Sequence, residues 1–422
     1  MVYGKAGGSM NVREIAWQVL NQVCLEKEYA NLALRKVKLQ GADMAFVTQV
    51  VYGTLQHYRY VRYLWEGLVK SKPKGKIAVL LDMSVYQLMF LHTPAYAIIH
   101  EAVDLAKQVY QGRYAKLVNA LLHQVELSPR ALPQEETARL AIETSHPDWL
   151  LAMWKAQYGA EIMKQIAYHD IAEGKTWIRC NTLVNSLEEL EAAMPGRLEK
   201  APLPQAYAYL GKQLLQEPCF RNGGFAIGDL SSQMVAGYLD PKPHETILDV
   251  CSAPGGKACH MAALMENKGK IIACDLHAHR VKLIEEGAKR LHVSIIETKV
   301  LDALQAQTYF SHTSFDRILC DVPCSGYGVL QGKSDIKYHM QSSDMDAIIK
   351  TQEAILESVW PLVKVHGVLV YSTCTLNKKE NEKQIAAFLS RHPQFQLEKE
   401  QTIFPFIYNS DGFYMAKLCR IA

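Results

Sequence analysis

The chain has 422 residues, 49% of them hydrophobic, which allows two or three globular domains with full cores. No apolar run reaches ~18 residues, so the sequence predicts no membrane span. The net charge is +3, but residues 1–130 contain 16 Lys and Arg against 9 Asp and Glu. This basic N-terminal third either suits an anionic partner such as nucleic acid or is a solvated helical surface.

Residues 10–128 are predicted to form an all-α domain. Apolar residues recur there at three- and four-residue spacing, as in Ile15, Val19 and Val23, and short breaks such as Ser71–Gly75 separate the helices. No stretch of this region alternates between polar and apolar residues for long. A helical domain without a sheet follows from that pattern.

The next part of the chain is predicted to contain a linker, 129–145, and a small α+β subdomain, 146–221. The linker starts with a Pro-containing polar run, Ser128–Glu136. Beyond it a helix opens at His146, and Thr176–Asn181 reads as a strand. We expect this subdomain to help bind RNA through Arg179 and Asn181, although both residues are equally consistent with capping a strand.

From residue 222 to 422 the pattern changes to strands that alternate with helices. The predicted strands are Thr246–Val250, Lys270–Cys274, Ser294–Val300, Asp316–Cys320 and Gly367–Tyr371. The predicted helices are 257–267, 279–291, 344–364 and 379–391. Such alternation is typical of an α/β domain with a Rossmann-like, doubly wound and mostly parallel sheet.

The loop after the first of these strands is a candidate cofactor site. Gly255 and Gly256 let the backbone turn tightly, and the following helix presents its free amides to a ligand. Asp275 ends the next strand, where a Rossmann unit places an acid against ribose hydroxyls. Because the loop matches neither GxGxxG nor the Walker sequence, S-adenosylmethionine fits better than NAD or ATP. The predicted cofactor-binding residues are Cys251, Ser252, Ala253, Pro254, Gly255, Gly256, Lys257, Asp275, Arg280, Asp302 and Asp321.

Two cysteines follow the fourth and fifth predicted strands. Cys324 lies in Asp321-Val-Pro-Cys-Ser, where amino-group methyltransferases have a second proline and an aromatic residue. Cys374 lies in Ser-Thr-Cys-Thr. A thiolate that adds to carbon 6 of a pyrimidine makes carbon 5 nucleophilic enough to accept a methyl group. Asp321 would support the addition at N3, and Lys257 would hold that carboxylate or lower a thiol pKa. These residues leave open which thiol attacks.

The motifs resemble those of the Sun (NSUN) family of RNA cytosine-5 methyltransferases, and the helical N-terminal part resembles a NusB-like RNA-binding domain. The matching segments are Asp249–Lys257, Asp275, Asp302, Asp321–Ser325, Asp335–Lys337, Thr373–Thr375, Glu380–Glu382, Gly228–Gln233, Asp411–Lys417, Val51–Leu55, Tyr86–Leu88 and Val118–Asn119. The resemblance implies that Cys374 is the nucleophile, that Cys324 assists product release, and that the substrate is a cytosine of small-subunit (16S) ribosomal RNA.

Some features depart from the family pattern or leave alternatives open. Gln331-Gly-Lys-Ser334 stands where the family often has two basic residues and a proline, which puts one expected contact with the RNA backbone in doubt. An RNA-binding assembly factor with a vestigial methyltransferase domain is the second hypothesis, and an NAD-dependent oxidoreductase is disfavoured. The ten cysteines show no CxxC pair or zinc-ligand spacing, so we expect a reduced, cytoplasmic protein without metal. We expect a monomer.

Overall fold

The computed structural model describes residues 11–339 and 341–422, which form two compact units. The first unit contains the described residues up to Ala172 and the segment between Val329 and Gln341. The second contains the rest. The predicted start of the first domain at residue 10 lies outside the described residues, and the predicted boundaries at 128, 145 and 221 remain predictions about domains.

The first unit is all-α over its described residues. Its helices along the continuous part are α1 Val12–Glu26, α2 Ala30–Arg35, α3 Gly41–Gln56, α4 Tyr58–Glu66, α5 Lys76–Phe90, α6 Ala95–Gln108, α7 Ala115–Leu127, α8 Glu136–Glu143, α9 Asp148–Tyr158 and α10 Ala160–His169. The side chain of Asn11 caps α1 by accepting a hydrogen bond from the Arg13 amide. Val19 and Val23, predicted to share one helical face, are both buried in the core.

Two stretches of the first unit contain helices. The stretch predicted as a linker contains α8, whose first amides are capped by the carboxylate of Glu135. The helices α9 and α10, which lie within the range predicted for the α+β subdomain, belong to the first unit. Nε2 of buried His146 lies 2.9 Å from Asp170 Oδ2. The backbone carbonyl of Asp170 accepts a hydrogen bond from the side chain of Gln56 on α3. These polar contacts tie the helices that follow residue 146 to those that precede it.

The second unit begins with a small antiparallel sheet. Its elements are β1 Thr176–Cys180, α11 Leu187–Ala193, β2 Leu198–Lys200, β3 Ala206–Tyr209, α12 Pro218–Arg221 and β4 Phe225–Ile227. The strand order is β2-β3-β1-β4. Ser186 and Glu189 form a capping box that starts α11, because each side chain accepts from the other's backbone amide. The predicted mixture of short strands with a helix near Ser186 is therefore present.

A seven-stranded sheet forms the rest of the second unit. In chain order the elements are α13 Leu230–Leu239, β5 Thr246–Asp249, α14 Gly256–Leu264, β6 Lys270–Asp275, α15 Ala278–Arg290, β7 Ile296–Val300, α16 Ala306–Tyr309, β8 Phe315–Asp321, α17 Ile336–His339 (part of the first unit), α18 Met345–Val359, β9 Val363–Thr373, α19 Glu382–Arg391, β10 Phe395–Ile403, α20 Pro405–Tyr408 and β11 Phe413–Arg420. Short 3₁₀ turns occur at Tyr110–Gly112, Leu214–Gln216, Ala303–Gln305, Ser342–Asp344 and Trp360–Leu362.

The strand order β10-β11-β9-β8-β5-β6-β7 confirms the predicted doubly wound, Rossmann-like sheet. The five strands from β5 to β9 run parallel, and β10 and β11 are antiparallel additions. Along β8, Ile318 and Cys320 pack in one hydrophobic cluster and Leu319 packs in another. Both faces of the sheet are thus covered. The order reverses between β5 and β8, so their carboxyl ends border the crevice where such sheets bind ligands.

Two predicted elements needed correction. The helix predicted over 344–364 ends at Val359, because Pro361 cannot supply a helical amide and β9 begins at Val363. The helix predicted from residue 379 begins at Glu382, after side chains that turn into the interior. Among the described residues, no helix combines the length and apolar character that crossing a membrane requires.

Candidate active site

The loops that follow β8 and β9 bring the two predicted cysteines together. Cys324 Sγ lies 3.4 Å from Cys374 Sγ, a hydrogen-bonding distance that is much longer than the roughly 2 Å of a disulfide. The hydrogen bond to Cys374, together with burial, raises the pKa of the Cys324 thiol well above its ordinary value. The two thiols are therefore coupled, because each lies within hydrogen-bonding distance of the other.

A partly buried ion pair lies beside the thiols. Lys257, in the first turn of α14, donates to Asp321 Oδ2 at 2.7 Å, and Ser372 Oγ donates to Asp321 Oδ1 at 2.8 Å. Burial disfavours the charged ammonium, but the Asp321 carboxylate outweighs it and holds the pKa of Lys257 above its ordinary value. The carboxylate is thus fixed at the end of β8 by one contact from a helix and one from a strand.

Glu380 supports both cysteine loops, a role that its sequence motif alone does not indicate. Its fully buried carboxylate accepts from the Ser325 amide at 2.9 Å, the Ser325 hydroxyl at 2.6 Å, Gln352 at 3.0 Å and Asn377 at 2.9 Å. The Ser325 hydroxyl also lies 2.7 Å from Thr375 Oγ1. Because Ser325 follows Cys324 and Thr375 follows Cys374, this carboxylate fixes the spacing of the two thiols.

The loop between β5 and α14 has the geometry expected of a ligand-binding turn. Gly255 has φ +96°, and a Cβ on it would lie 3.1 Å from the Ile284 backbone. Gly256 has open space where its Cβ would stand. No side chain caps α14, so its first amides have no side-chain acceptor.

Asp249, at the end of β5, is a candidate cofactor contact that the predicted set omitted. It is 0% exposed, and neither of its carboxylate oxygens has a hydrogen-bond partner among the described residues. Burial raises the pKa of this carboxyl to about 7. The Ser252 hydroxyl lies close enough to offset part of that rise in pKa, but neither group has a partner in full hydrogen-bonding geometry. These orphaned acceptors fit a cofactor that brings donors, as the ammonium group of S-adenosylmethionine does.

The other predicted cofactor residues lie near the ends of β6 and β7. Asp275 ends β6, and Arg280 Nη1 approaches its carboxylate to 3.2 Å. Arg280 Nη2 also donates to the Ala253 carbonyl at 2.9 Å, which joins this acid to the loop. Asp302 follows β7 and accepts from the Leu304 amide at 3.0 Å. All lie at the carboxyl edge of the sheet, where the adenosine end of a nucleoside cofactor binds.

Other segments singled out by the sequence make contacts with backbone carbonyls. Lys337, in the family-like Asp-Ile-Lys motif, belongs to the first unit and donates to the Thr144 carbonyl at 3.3 Å. Gln331 donates to the His169 carbonyl in the same unit. Asn181 donates to the carbonyls of Gly223 and Leu291, so it is committed to backbone contacts. Within the described ranges, no group of three His, Cys, Asp or Glu residues could hold a metal ion.

Comparisons with known proteins decide the family. Residues 236–419 match the family described as 16S rRNA methyltransferase RsmB/F, and residues 10–127 match the NusB family. A protein of Bacillus subtilis named probable ribosomal RNA small subunit methyltransferase B is 37% identical over 441 residues, covering 97% of this chain and 98% of its own. The chain belongs to the RsmB/F family of 16S rRNA methyltransferases.

Membership of the RsmB/F family confirms the predicted enzyme class, an S-adenosylmethionine-dependent rRNA methyltransferase with a NusB-like part. The crystal structure of PH0851 superimposes with a TM-score of 0.81 at 25% identity, covering 97% of this chain and 99% of that one. NSun6 from Pyrococcus horikoshii, crystallised with SFG, has a TM-score of 0.61 at 23% identity and covers 65% of this chain and 98% of its own. The latter likeness supports the fold alone.

Proposed function

We propose that this RsmB/F enzyme methylates carbon 5 of one cytosine in small-subunit ribosomal RNA through a covalent adduct with Cys374. The observation that carries the proposal is the 3.4 Å approach of Cys324 Sγ to Cys374 Sγ beside the Lys257–Asp321 pair. One thiol alone could add to a base. Two adjacent thiols allow one to form the adduct while the other assists its release.

The residues of the chain divide the reaction between them. Cys374 adds as a thiolate to carbon 6 of the flipped cytosine, N3 takes up a proton from water, and the Asp321 carboxylate, held by Lys257 and Ser372, accepts a hydrogen bond from that N3–H and favours the addition. S-adenosylmethionine would supply the methyl group that carbon 5 accepts and would leave as S-adenosylhomocysteine. The proton on carbon 5 then passes to water, the bond from Cys374 Sγ to carbon 6 breaks with its electron pair returning to the sulfur, and the aromatic ring returns as N3 loses its proton. Cys324, next to the departing sulfur, assists this last step.

The residues around the cofactor loop fit S-adenosylmethionine. Asp249 and Ser252 offer orphaned acceptors to its amino group, and Asp275 lies where ribose hydroxyls bind. Arg280, Asp302 and the loop from Cys251 to Lys257 complete the proposed set. RNA is the proposed partner of the NusB-like region, whose sequence is basic, and the unbridged cysteines suit the reducing cytoplasm.

Covalent capture tests the adduct directly. RNA that carries 5-fluorocytosine at the target should trap the wild-type enzyme, because fluorine cannot leave as a proton does. We expect Cys374→Ala to abolish both the adduct and methylation, and Cys324→Ala to accumulate an RNA-linked species. Cys419→Ala, on the outer part of β11, is the matched control and should keep both activities. An adduct that persists in Cys374→Ala would contradict the proposed roles.

Bisulfite sequencing identifies the substrate. Small-subunit ribosomal RNA from cells with and without the gene should differ at one protected cytosine. Retention of every protected cytosine after deletion would remove ribosomal RNA C5 methylation from the proposal. Calorimetry with S-adenosylmethionine would then distinguish an enzyme with another RNA target from a binding factor that has lost its cofactor.

A further inference from the structure

Arg179, on β1, is a buried arginine without an acidic partner. The residue is 3% exposed, and no carboxylate among the described residues contributes to the pKa of its guanidinium. Its one hydrogen bond within that part of the chain goes to the Cys180 carbonyl at 3.3 Å. Burial lowers the pKa of Arg179 to about 10, so the guanidinium remains charged at neutral pH. An uncompensated buried cation is costly, which suggests that an anion completes its surroundings.

The guanidinium lines a small cavity at the start of α14. Gln233, Gly256, Lys257 and His260 also line it, and its volume is about 40 Å³. One water needs ~10–15 Å³ by the same measure, so the cavity suits a group with about three such atoms rather than a nucleobase. The uncapped first amides of α14 and the fixed charge of Arg179 both favour an oxyanion there.

We propose that Arg179 and the start of α14 form a subsite for one phosphodiester of the RNA strand near the target cytosine. The inference rests on the proposed function, because it assigns a contact for the same substrate. Gly256 and Lys257 of the proposed cofactor loop line the cavity, whereas Asp249, Ser252 and Asp275 do not. Lys257 also contacts Asp321 of the reaction centre. We assign the anion to RNA because the acids and the hydroxyl that fit the cofactor lie outside the cavity, and the carboxylate of the cofactor is the alternative source that the tests below separate.

A larger cleft continues from this subsite. It has a volume of about 350 Å³ and shares Gln233 and His260 with the small cavity. Tyr238 and Lys399 line it, with the ammonium 4.1 Å from the centre of the tyrosine ring. A neighbouring nucleotide fits this volume, and an aromatic ring with an adjacent cation suits a single-stranded base. A strand that leaves the phosphate subsite can thus follow the protein surface.

The first test leaves the protein unchanged. Single neutral methylphosphonates are placed in turn at each phosphate flanking the target of an RNA fragment that the wild-type enzyme methylates. One position should weaken binding roughly tenfold, the effect of losing one charge-assisted hydrogen bond. At that position the slope of log affinity against log salt should fall by roughly 0.7, the value for one single-strand phosphate. A scan in which no position has this effect overturns the proposal.

The second test removes the guanidinium. Arg179→Gln should weaken RNA binding and lower the salt slope by the same amounts, and the sensitive methylphosphonate should cause no further loss in it. Arg179→Lys keeps the charge and should keep most of the slope. Arg290→Gln is the control, because Arg290 donates to the Phe220 and Phe225 carbonyls and does not line the cavity. It should leave the slope unchanged.

The outcomes separate the sources of the anion. If Arg179→Gln lowers the affinity for S-adenosylmethionine in calorimetry while the RNA salt slope is unchanged, the subsite holds the cofactor carboxylate and the RNA assignment is wrong. If equal methylphosphonate effects occur in wild type and Arg179→Gln, the arginine contacts no phosphate. If wild type forms no 5-fluorocytosine adduct, the proposed reaction fails, whereas failure of the subsite alone leaves that adduct intact.

Discussion

Two buried carboxylates at the carboxyl edge of the same sheet differ in their hydrogen bonding. Glu380 accepts four hydrogen bonds, two from Ser325 and one each from Gln352 and Asn377. It supports the loops that carry the two thiols. Asp249 is equally buried, and its oxygens have no partner among the described residues. A satisfied carboxylate stabilises the fold, whereas an unsatisfied one costs free energy until a ligand arrives. Hydrogen-bond satisfaction therefore distinguishes the scaffold of this site from its cofactor contacts.

The largest expected effect comes from removing the satisfied carboxylate. Glu380→Ala leaves the Ser325, Gln352 and Asn377 donors buried without acceptors, so we expect the free energy of unfolding to fall by about 5 kcal/mol. Urea denaturation followed by circular dichroism measures it. Glu353→Ala, which removes an exposed partner of Arg391, is the control and should change stability by less than about 1 kcal/mol. Equal effects of the two variants would contradict the scaffold role.

The pH dependence of stability examines the unsatisfied carboxylate. Burial raises the pKa of Asp249 from 3.8 to about 7, so the folded state binds a proton that the unfolded state has released between those values. Stability of the cofactor-free enzyme should therefore fall as the pH rises from about 4 to 7, by roughly 4 kcal/mol at most. The difference between wild type and Asp249→Asn across a pH series of denaturation curves isolates this contribution. If the stabilities of wild type and Asp249→Asn changed in parallel with pH, the pKa of Asp249 would be the same in the folded and unfolded states.

The same residue should respond differently to ligand binding. Asp249→Asn removes an anionic acceptor without leaving any protein donor unpaired, so at neutral pH stability should stay the same or rise. Affinity for S-adenosylmethionine should fall by about 2 kcal/mol, the contribution of a hydrogen bond to a charged group, and calorimetry measures it. Glu380→Gln is the matched comparison, because it should lose stability and keep cofactor affinity. Reversed behaviour of the two variants would exchange the roles assigned to the two acids.

The fold was largely predictable because its central strands are buried on both faces. Ile318-Leu-Cys320 is a continuous apolar run, the pattern of a strand inside a parallel sheet. The edge strand β10 was not predicted from its pattern. Only its ends, Phe395 and Ile403, are buried, and its register shifts between Leu397 and Lys399. An edge strand that packs so little of its length leaves no clear alternation in the sequence.

The site was predictable where chemistry follows a strand and unpredictable where it depends on tertiary contacts. Cys324 and Cys374 could be paired from the sequence because the ends of parallel strands meet at one edge. The role of Glu380 could not, since Gln352 comes from a separate helix, 28 residues earlier. Likewise Asp249 ends a predicted strand, but only the structure reveals that its carboxylate lacks partners. Which thiol attacks stays a prediction.

The smallest expected effects come from the two glycines in the loop that follows Asp249, and they refine the cofactor side of the comparison. Gly255→Ala places a Cβ at φ +96° against the Ile284 backbone, so we expect a loss of about 2 kcal/mol in stability and weaker cofactor binding. Gly256 starts α14 with open space around its Cβ position, so Gly256→Ala should change stability by less than about 0.5 kcal/mol. Thermal unfolding and calorimetry compare the two variants.

If Gly256→Ala weakens S-adenosylmethionine binding at unchanged stability, the cofactor contacts the backbone at Gly256. If Gly256→Ala binds S-adenosylmethionine as tightly as wild type does, the open space at Gly256 remains available to the RNA phosphate that we assign to the Arg179 subsite.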